Sequence, residues 1–472
     1  MHAVINSDRV VTPDGVIPAF VRVEDGVIRS VTPELDPPPG QYAVLDATGL
    51  VLMPGGVDLH THLELEVGGV RTAGDWASAS LAALWGGTTT VVDFAEPGPD
   101  GSLLTGLALQ QERAAGAVVD FGFHMTVTDA SPPRLHELEE VVSRGQASLK
   151  VYTAYPGRLM LEPDALEQVF RRAAALGARV MVHCEDGHAI RENIRQAVAR
   201  GETGAIQHAR TRPPETEERA VRQVLELAAK TGAAVHLAHL STAGAVAALR
   251  EARASGLPVT AETCPQYLWL EESRLSWPAP AGLCHVCSPP LRTAPHLDAL
   301  WDGLADGSID AVSTDHCPFH WHGGKDRGLT PNGEDFTRTP GGLPGVETRL
   351  PLVFAGGVEA QRFGLGRFVE LVSSGPARLA GLYPRKGVIA PGADADLVLF
   401  DPENGTDLNA EVLHMQVDHS PYEGLWAQGR VVAVMRRGVL VIADGEVINP
   451  PPPGRLLRRA PVRPTDESRS RP

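Results

Sequence analysis

Cysteine and lysine are both scarce in this chain: its 472 residues include five cysteines and only four lysines, Lys150, Lys230, Lys325 and Lys386. Five thiols (Cys184, Cys264, Cys284, Cys287 and Cys317) are too few, and too odd in number, for a disulfide framework, so they read as reduced. Uninterrupted apolar runs of about 18 residues, the length a membrane helix needs, are missing. Met1 to Val11 has no basic segment leading into a long apolar one, so a cytoplasmic location without a membrane partner is expected. Positive charge is short as well. A net charge of -16 argues against a nucleic-acid partner, whose phosphates must be neutralised by Lys and Arg. Apolar residues are plentiful at 43%, enough for a large core, and the length suits one α/β barrel of about 250 residues or more plus an accessory domain.

Residues 1–52 consist of short β-type runs broken by turns: AVINSDRVVT, VIPAFVRVEDGVIRSV and YAVLDATGLVLMPG. The same style returns in residues 385–448, with ADADLVLFDP, GRVVAVMRRGVLVIADGEVI and the Asp444-Gly445 turn. The two ends together predict one β-sandwich. In residues 53–384, apolar strand-like runs alternate with amphipathic helical stretches, the pattern of βα units. Eight such runs (GVDLHTH, TTTVVDF, VVDFGFHMTV, ASLKVYTAY, ARVMVHCE, AAVHLAHLS, PVTAETCP and IDAVSTDH) are what a closed (β/α)8 barrel needs. EPDALEQVFRRAAALG and EERAVRQVLELAAKTG carry helical apolar spacing and end in Gly. A Pro/Gly hinge is expected at Ala390 to Ala393, and the Pro- and Arg-rich residues 449–472 predict a loose surface tail.

His60 and His62 lie two apart, so on a strand both imidazoles share one face and can grip one ion. His183, His239 and Asp315 occupy the ends of later runs, where a (β/α)8 barrel builds its active site. Together the five predict a metal centre. His236, three residues before His239, reads as a packing residue. His316, His320 and His322 fall in a loop, and the Cys284 to Cys287 spacing has no second pair to complete a zinc site. Lys150 is the one lysine inside an apolar strand. A bare ammonium there is costly, which leaves two readings: an ion pair with a neighbouring acid, or addition of carbon dioxide to give a carbamate (N6-carboxylysine) bridging two ions. Charge balance favours the carbamate, because four neutral histidines cannot offset two divalent ions, whereas Asp315, a carbamate and a hydroxide nearly can.

The stretches MPGGVDLHTHLELEVGG, SLKVYTAY, ARVMVHCEDG, AETCPQYL, CSPPLR, STDHCPF and PARLAGLYPRKGVIAPGADADLVLFDP make the chain resemble a cyclic amidohydrolase of the hydantoinase and dihydropyrimidinase group, over nearly its whole length. The resemblance implies two divalent ions, zinc by preference with manganese or cobalt possible. His60, His62 and Lys150 would hold the more buried ion, and Lys150, His183 and His239 the more exposed one. Asp315 would contact the buried ion and shuttle the proton, while Tyr155 would hydrogen-bond the developing oxyanion. Backbone groups of Ser288 and Gly341 would flank the ring, Gly341 standing where the group usually has asparagine. A homotetramer is the assembly the resemblance implies.

Leu65, Val67, Tyr152 and Leu159 fall in loops that shape the substituent pocket in such enzymes, predicting an apolar lining with one aromatic. The expected substrate is a small cyclic amide, a 5-substituted hydantoin or a dihydropyrimidine, opened to an N-carbamoyl amino acid. A dihydroorotase-like enzyme is the alternative, and PGGLPGVETRLPL resembles that group. However, Leu63-Glu64 and FAEPG lack its usual carboxylate-binding arginine and asparagine. A non-catalytic scaffold of the same fold is the third reading, against which stand six retained ligand positions.

Overall fold

A computed structural model describes residues 2–35 and 42–461. The amino-terminal strands are β1 (Ala3–Thr12), β2 (Gly15–Glu24), β3 (Val27–Thr32), β4 (Ala43–Asp46) and β5 (Val51–Pro54). After β6 (Gly56–Thr61) comes a small hairpin of β7 (Glu66–Val67) and β8 (Val70–Arg71). The next strands are β9 (Thr88–Ala95), β10 (Asp120–Thr126), β11 (Ser148–Tyr152), β12 (Arg179–His183), β13 (Val235–Leu237), β14 (Val259–Thr263) and β15 (Ala311–Val312). A second hairpin, β16 (Leu329–Thr330) with β17 (Gly333–Glu334), precedes β18 (Leu397–Asp407), β19 (Trp426–Arg436), β20 (Val439–Ala443) and β21 (Glu446–Val447).

The eight strands β6 and β9 to β15 are the eight apolar runs seen in the sequence, and they pair in parallel in chain order. Being buried on both faces, they carry nearly continuous apolar sequence rather than alternation. Helices cover the outside. Pro163–Leu176 buries Leu166, Val169, Phe170 and Ala173, the i, i+3, i+4 face, and stops at Gly177 with φ of 65°; a residue in the left-handed region ends a helix most cheaply as Gly. The last strand is short, so a backbone bridge and buried side chains close the barrel. Thr61 bridges His316, Asp58 accepts from Thr314 N at 3.1 Å and Oγ1 at 2.7 Å, and the buried Arg349 donates to Val57 O at 2.7 Å and Val312 O at 3.0 Å.

The chain ends share one nine-stranded sheet, ordered β21-β20-β19-β18-β5-β1-β2-β3 with β4 also on β1. One apolar cluster takes Ile5, Val21 and Leu52 from the amino-terminal strands and Leu397, Leu399 and Met435 from the carboxy-terminal ones, so the two ends share one core. The Ala390 to Ala393 segment is clamped rather than free: Ile28 N donates to Ala393 O at 2.9 Å and Gly392 N to Ile28 O at 2.8 Å. The expected loose tail also differs from the structure over residues 449–461. Phe121 N donates to Arg455 O at 3.0 Å and Leu457 N to Phe121 O at 2.7 Å, while Leu457 and Arg459 are buried. Backbone hydrogen bonds and a buried leucine give this segment what composition alone does not reveal. The rest of the expected tail, residues 462–472, lies outside the described residues. Among the described residues no helix is long and apolar enough to cross a membrane, and all five cysteines are buried and free.

Candidate metal centre and active-site cavity

Strand β6 delivers His60 and His62 to the carboxy-terminal end of the barrel, and the turn after β15 delivers Asp315 to the same place. His60 Nε2 lies 3.3 Å and His62 Nε2 3.1 Å from Asp315 Oδ1. The three ligand atoms lie within 4.8 Å of one another. His60 Nδ1 is 2.6 Å from Glu262 Oε1, an arrangement in which the ring proton sits on Nδ1 and Nε2 turns a lone pair toward the carboxylate of Asp315. Burial first, and then the charge of Lys150, lower the His60 pKa to about 4, which opposes a second ring proton. Two acceptors facing each other without a proton between them are the donor set of a bound cation, so these residues fit a metal ion.

A second pair stands beside the first. His183, at the end of β12, has Nδ1 3.0 Å from Nε2 of His239, two residues past β13. The other nitrogen of His183, Nε2, is 2.7 Å from Glu185 Oε2. Lys150, in β11 between these sets, is 1% exposed, and its charge depresses the pKa of both His60 and His239 after the larger effect of burial. Its Nζ lies 5.1 Å from the centre of the Phe94 ring and 5.2 Å from that of Tyr152. Among the described residues it has no carboxylate within ion-pair reach, and burial pushes its ammonium down to about 8. The structure therefore brings together all six residues singled out for a metal centre.

Two carboxylates that the sequence reading passed over orient this set. Glu262 is wholly buried in β14 and also accepts from Ser313 Oγ at 2.6 Å. Burial alone would raise its pKa, but His60 and His236 outweigh burial and hold it well below the ordinary carboxylate value. Glu185 takes the same part for His183. Carboxylates behind metal-facing histidines fix the ring tautomer and orientation. The signal for Glu262 was present in PVTAETCP, a charge inside an apolar run like that of Lys150. His236 Nδ1 meets Thr260 Oγ1 at 2.9 Å, as a packing residue would. His316 is committed elsewhere, its Nδ1 accepting from Gly345 N at 3.0 Å and Val346 N at 3.3 Å.

Above the centre opens a cavity of about 600 Å³. Tyr155, Ser288 and Gly341 line it, as do Leu65, Val67, Tyr152 and Leu159. Tyr155 lies with its ring centre 5.2 Å from that of His183. Burial, then the charge of Glu185, raises its phenol above the ordinary tyrosine value. A Cβ on Gly341 would stand 3.6 Å from Ser288 Oγ, an ordinary contact, so these two positions face each other. Lys325 ties their segments together by donating to Val286 O at 2.9 Å and Pro340 O at 3.2 Å. Three cavity residues hold left-handed backbone, Tyr155 (φ 64°), His239 (φ 37°) and Asp315 (φ 51°). Non-glycine residues there cost about 1–3 kcal/mol each and concentrate at functional sites. The lining is not only apolar. Arg158, Arg212, Arg327 and Arg338 also reach it, contributed by loops whose convergence no local pattern reveals.

Residues 51–441 match the model of the amidohydrolase family. The chain is 42% identical to a D-hydantoinase of Streptomyces coelicolor over 449 residues, covering 94% of this chain and 95% of that protein. It is 39% identical to a D-hydantoinase of Geobacillus stearothermophilus, covering 98% and 97% respectively. The crystal structure of dihydropyrimidinase from Brevibacillus agri superposes with a TM-score of 0.94 at 39% identity, covering 98% of this chain and 100% of that one. With its parallel barrel, its histidine and aspartate cluster and near full-length likeness to these proteins, the chain belongs to the amidohydrolase family, in its hydantoinase and dihydropyrimidinase group.

Proposed function

We propose that this protein is a metal-dependent hydrolase that opens the ring of 5-substituted hydantoins or dihydropyrimidines to N-carbamoyl products. The observation that carries this reading is the meeting of two imidazole pairs and Asp315 around the buried, unpaired Lys150 at the floor of one cavity. The names of the relatives support the substrate class. His60, His62 and Asp315 would hold one divalent ion, His183 and His239 a second. Lys150 would serve both as a carbamate, its neutral amine adding to carbon dioxide with loss of one proton. Zinc suits this set of nitrogen and oxygen donors, as do manganese and cobalt. Such ions, when bound, supply Lewis acidity and hydroxide near neutral pH.

The chain's own residues do the rest. Asp315 accepts the proton released as water attacks the ring carbonyl and passes it to the departing ring nitrogen. Tyr155, kept protonated by its raised pKa, donates a hydrogen bond to the oxygen that gains charge. Backbone groups at Ser288 and Gly341 hold the polar edge of the ring, and Leu65, Val67, Tyr152 and Leu159 meet its substituent. The same reading carries a cytoplasmic homotetramer. Against a dihydroorotase-like enzyme stands Glu64, whose Oε1 accepts from Trp76 N at 2.9 Å and so caps a helix instead of binding substrate.

The test is a ring-opening panel of hydantoin, 5-phenylhydantoin, dihydrouracil, allantoin and dihydroorotate with metal-loaded enzyme, the N-carbamoyl product being read by chromatography. Turnover of a hydantoin or dihydrouracil is expected. Preferred turnover of dihydroorotate would overturn the substrate class.

A further inference from the structure

The chain carries a net charge of -16, yet four guanidinium groups reach its active-site cavity. Arg212 is anchored, its Nη1 donating to His208 Nδ1 at 3.2 Å. Arg158, Arg327 and Arg338 are exposed at the cavity and have no carboxylate within ion-pair reach among the described residues. Many exposed arginines elsewhere are paired, as Arg195 is with Glu192 and Arg219 with Asp186. Arg158 lies just beyond Tyr155 in the loop after β11. Arg327 spans the cavity mouth, donating to Gly68 O at 3.0 Å and Gly69 O at 3.1 Å in the turn between β7 and β8. Arg338 approaches on the segment that leads to Gly341. The acids facing these groups are few. Glu66 and Glu96 line the same cavity; Glu66 is exposed, while Glu96 accepts from Thr126 Oγ1 at 3.1 Å and feels the charge of Arg158 without pairing with it.

We infer that the ring substituent of this enzyme's preferred substrate ends in an acidic group, a carboxylate or its like, held at the cavity mouth by Arg158 and Arg338 with Arg327 contributing positive charge. This rests on the ring-opening reading above and deepens it. Leu65, Val67 and Leu159, apolar residues lining the same cavity, suit a short methylene spacer. The guanidinium fork then meets the carboxylate in charge-assisted, two-pronged hydrogen bonds, about twice as strong as neutral ones. The arrangement also differs from recognition of a carboxylate borne directly on the ring, which would place the anion beside the metal centre rather than at the mouth.

A matched pair of substrates tests this: hydantoin-5-propionic acid and hydantoin-5-propionamide, equal in shape and different in charge. For the metal-loaded enzyme, kcat/KM for the acid is expected to exceed that for the amide by at least tenfold, and the ratio should fall as salt is raised. In Arg158→Gln/Arg338→Gln the ratio should approach one, and in Arg158→Glu it should invert. An amide opened as well as the acid, or a ratio indifferent to these substitutions, would overturn the inference while leaving the hydrolase reading intact. If hydantoin, dihydrouracil and both members of the pair all stay closed, the hydrolase reading itself falls.

Discussion

At the seam between the barrel and the terminal sheet, the wholly buried Lys386 donates to Asp120 at 2.6 Å and reaches Asp394 at 2.9 Å, with Asp396 as a third partner. Lys150 is equally buried at the barrel mouth, yet it lies beside two aromatic rings and, among the described residues, has no carboxylate within ion-pair reach. The environments push in opposite directions. Burial would lower the pKa of Lys386, but Asp396, Asp120 and Asp394 outweigh it and raise it, whereas burial prevails at Lys150 and brings it to about 8. One lysine is a structural cation joining elements far apart in sequence. The other, on the proposed reading, is an amine available to add to carbon dioxide. A buried charge is thus informative only with its partners in view.

The comparison breaks most visibly through substitution of each lysine. Lys150→Ala should lose bound metal and activity together. Several kcal/mol of lost charge stabilisation corresponds to about a thousandfold or more in rate. Added short carboxylic acids should restore part of the activity, and denaturant unfolding of the metal-free protein should change little. Full activity in this variant, measured beside metal content, would remove the carbamate from the account. Lys386→Met should do the reverse. Three aspartates left without their shared cation destabilise the fold by about 3–5 kcal/mol in urea or guanidinium unfolding, while metal content per folded chain is kept.

A smaller effect is expected at Glu262→Gln, which keeps the shape but weakens the hold on the His60 ring. Metal affinity should fall about 10–100-fold, read by titration with a chelator as competitor. Unchanged affinity would mean that Glu262 serves packing alone. The smallest effect is in pH. Asp120 is held below the ordinary carboxylate value because Lys386 and Arg436 outweigh its burial, so its stabilisation is present above the usual carboxylate pKa and fades as pH falls through the lowered one. Lys386 has a raised pKa, so its share is complete below the usual lysine value and fades as pH rises through the raised one. The stability gap between the wild type and Lys386→Met should therefore be full between about pH 4 and 10 and narrow on either side. A gap that does not narrow below about pH 4 or above about pH 10 would contradict the pairing.

The contrast also marks what a sequence can disclose. All eight barrel strands were legible because doubly buried parallel strands leave unbroken apolar runs, and the HxH spacing and the charge of Lys150 stand out against them. The burial of Lys386 was not legible, because its partner Asp120 is 266 residues away and neither sits in an unusual local pattern. Leu457 is a similar case: a Pro- and Arg-rich composition gave no hint of its docking beside Phe121. Glu262 was legible by the same logic as Lys150 and was passed over among the more conspicuous histidines. The arginines at the cavity mouth come from loops, whose meeting depends on the whole fold.

On the proposed reading, Lys150 carries a carbamate shared by two ions. Carbon-13 NMR of metal-loaded enzyme equilibrated with labelled bicarbonate tests it most directly. The account predicts one protected carbamate carbon per chain, absent from Lys150→Ala; an active enzyme holding two ions per chain without that signal would contradict it.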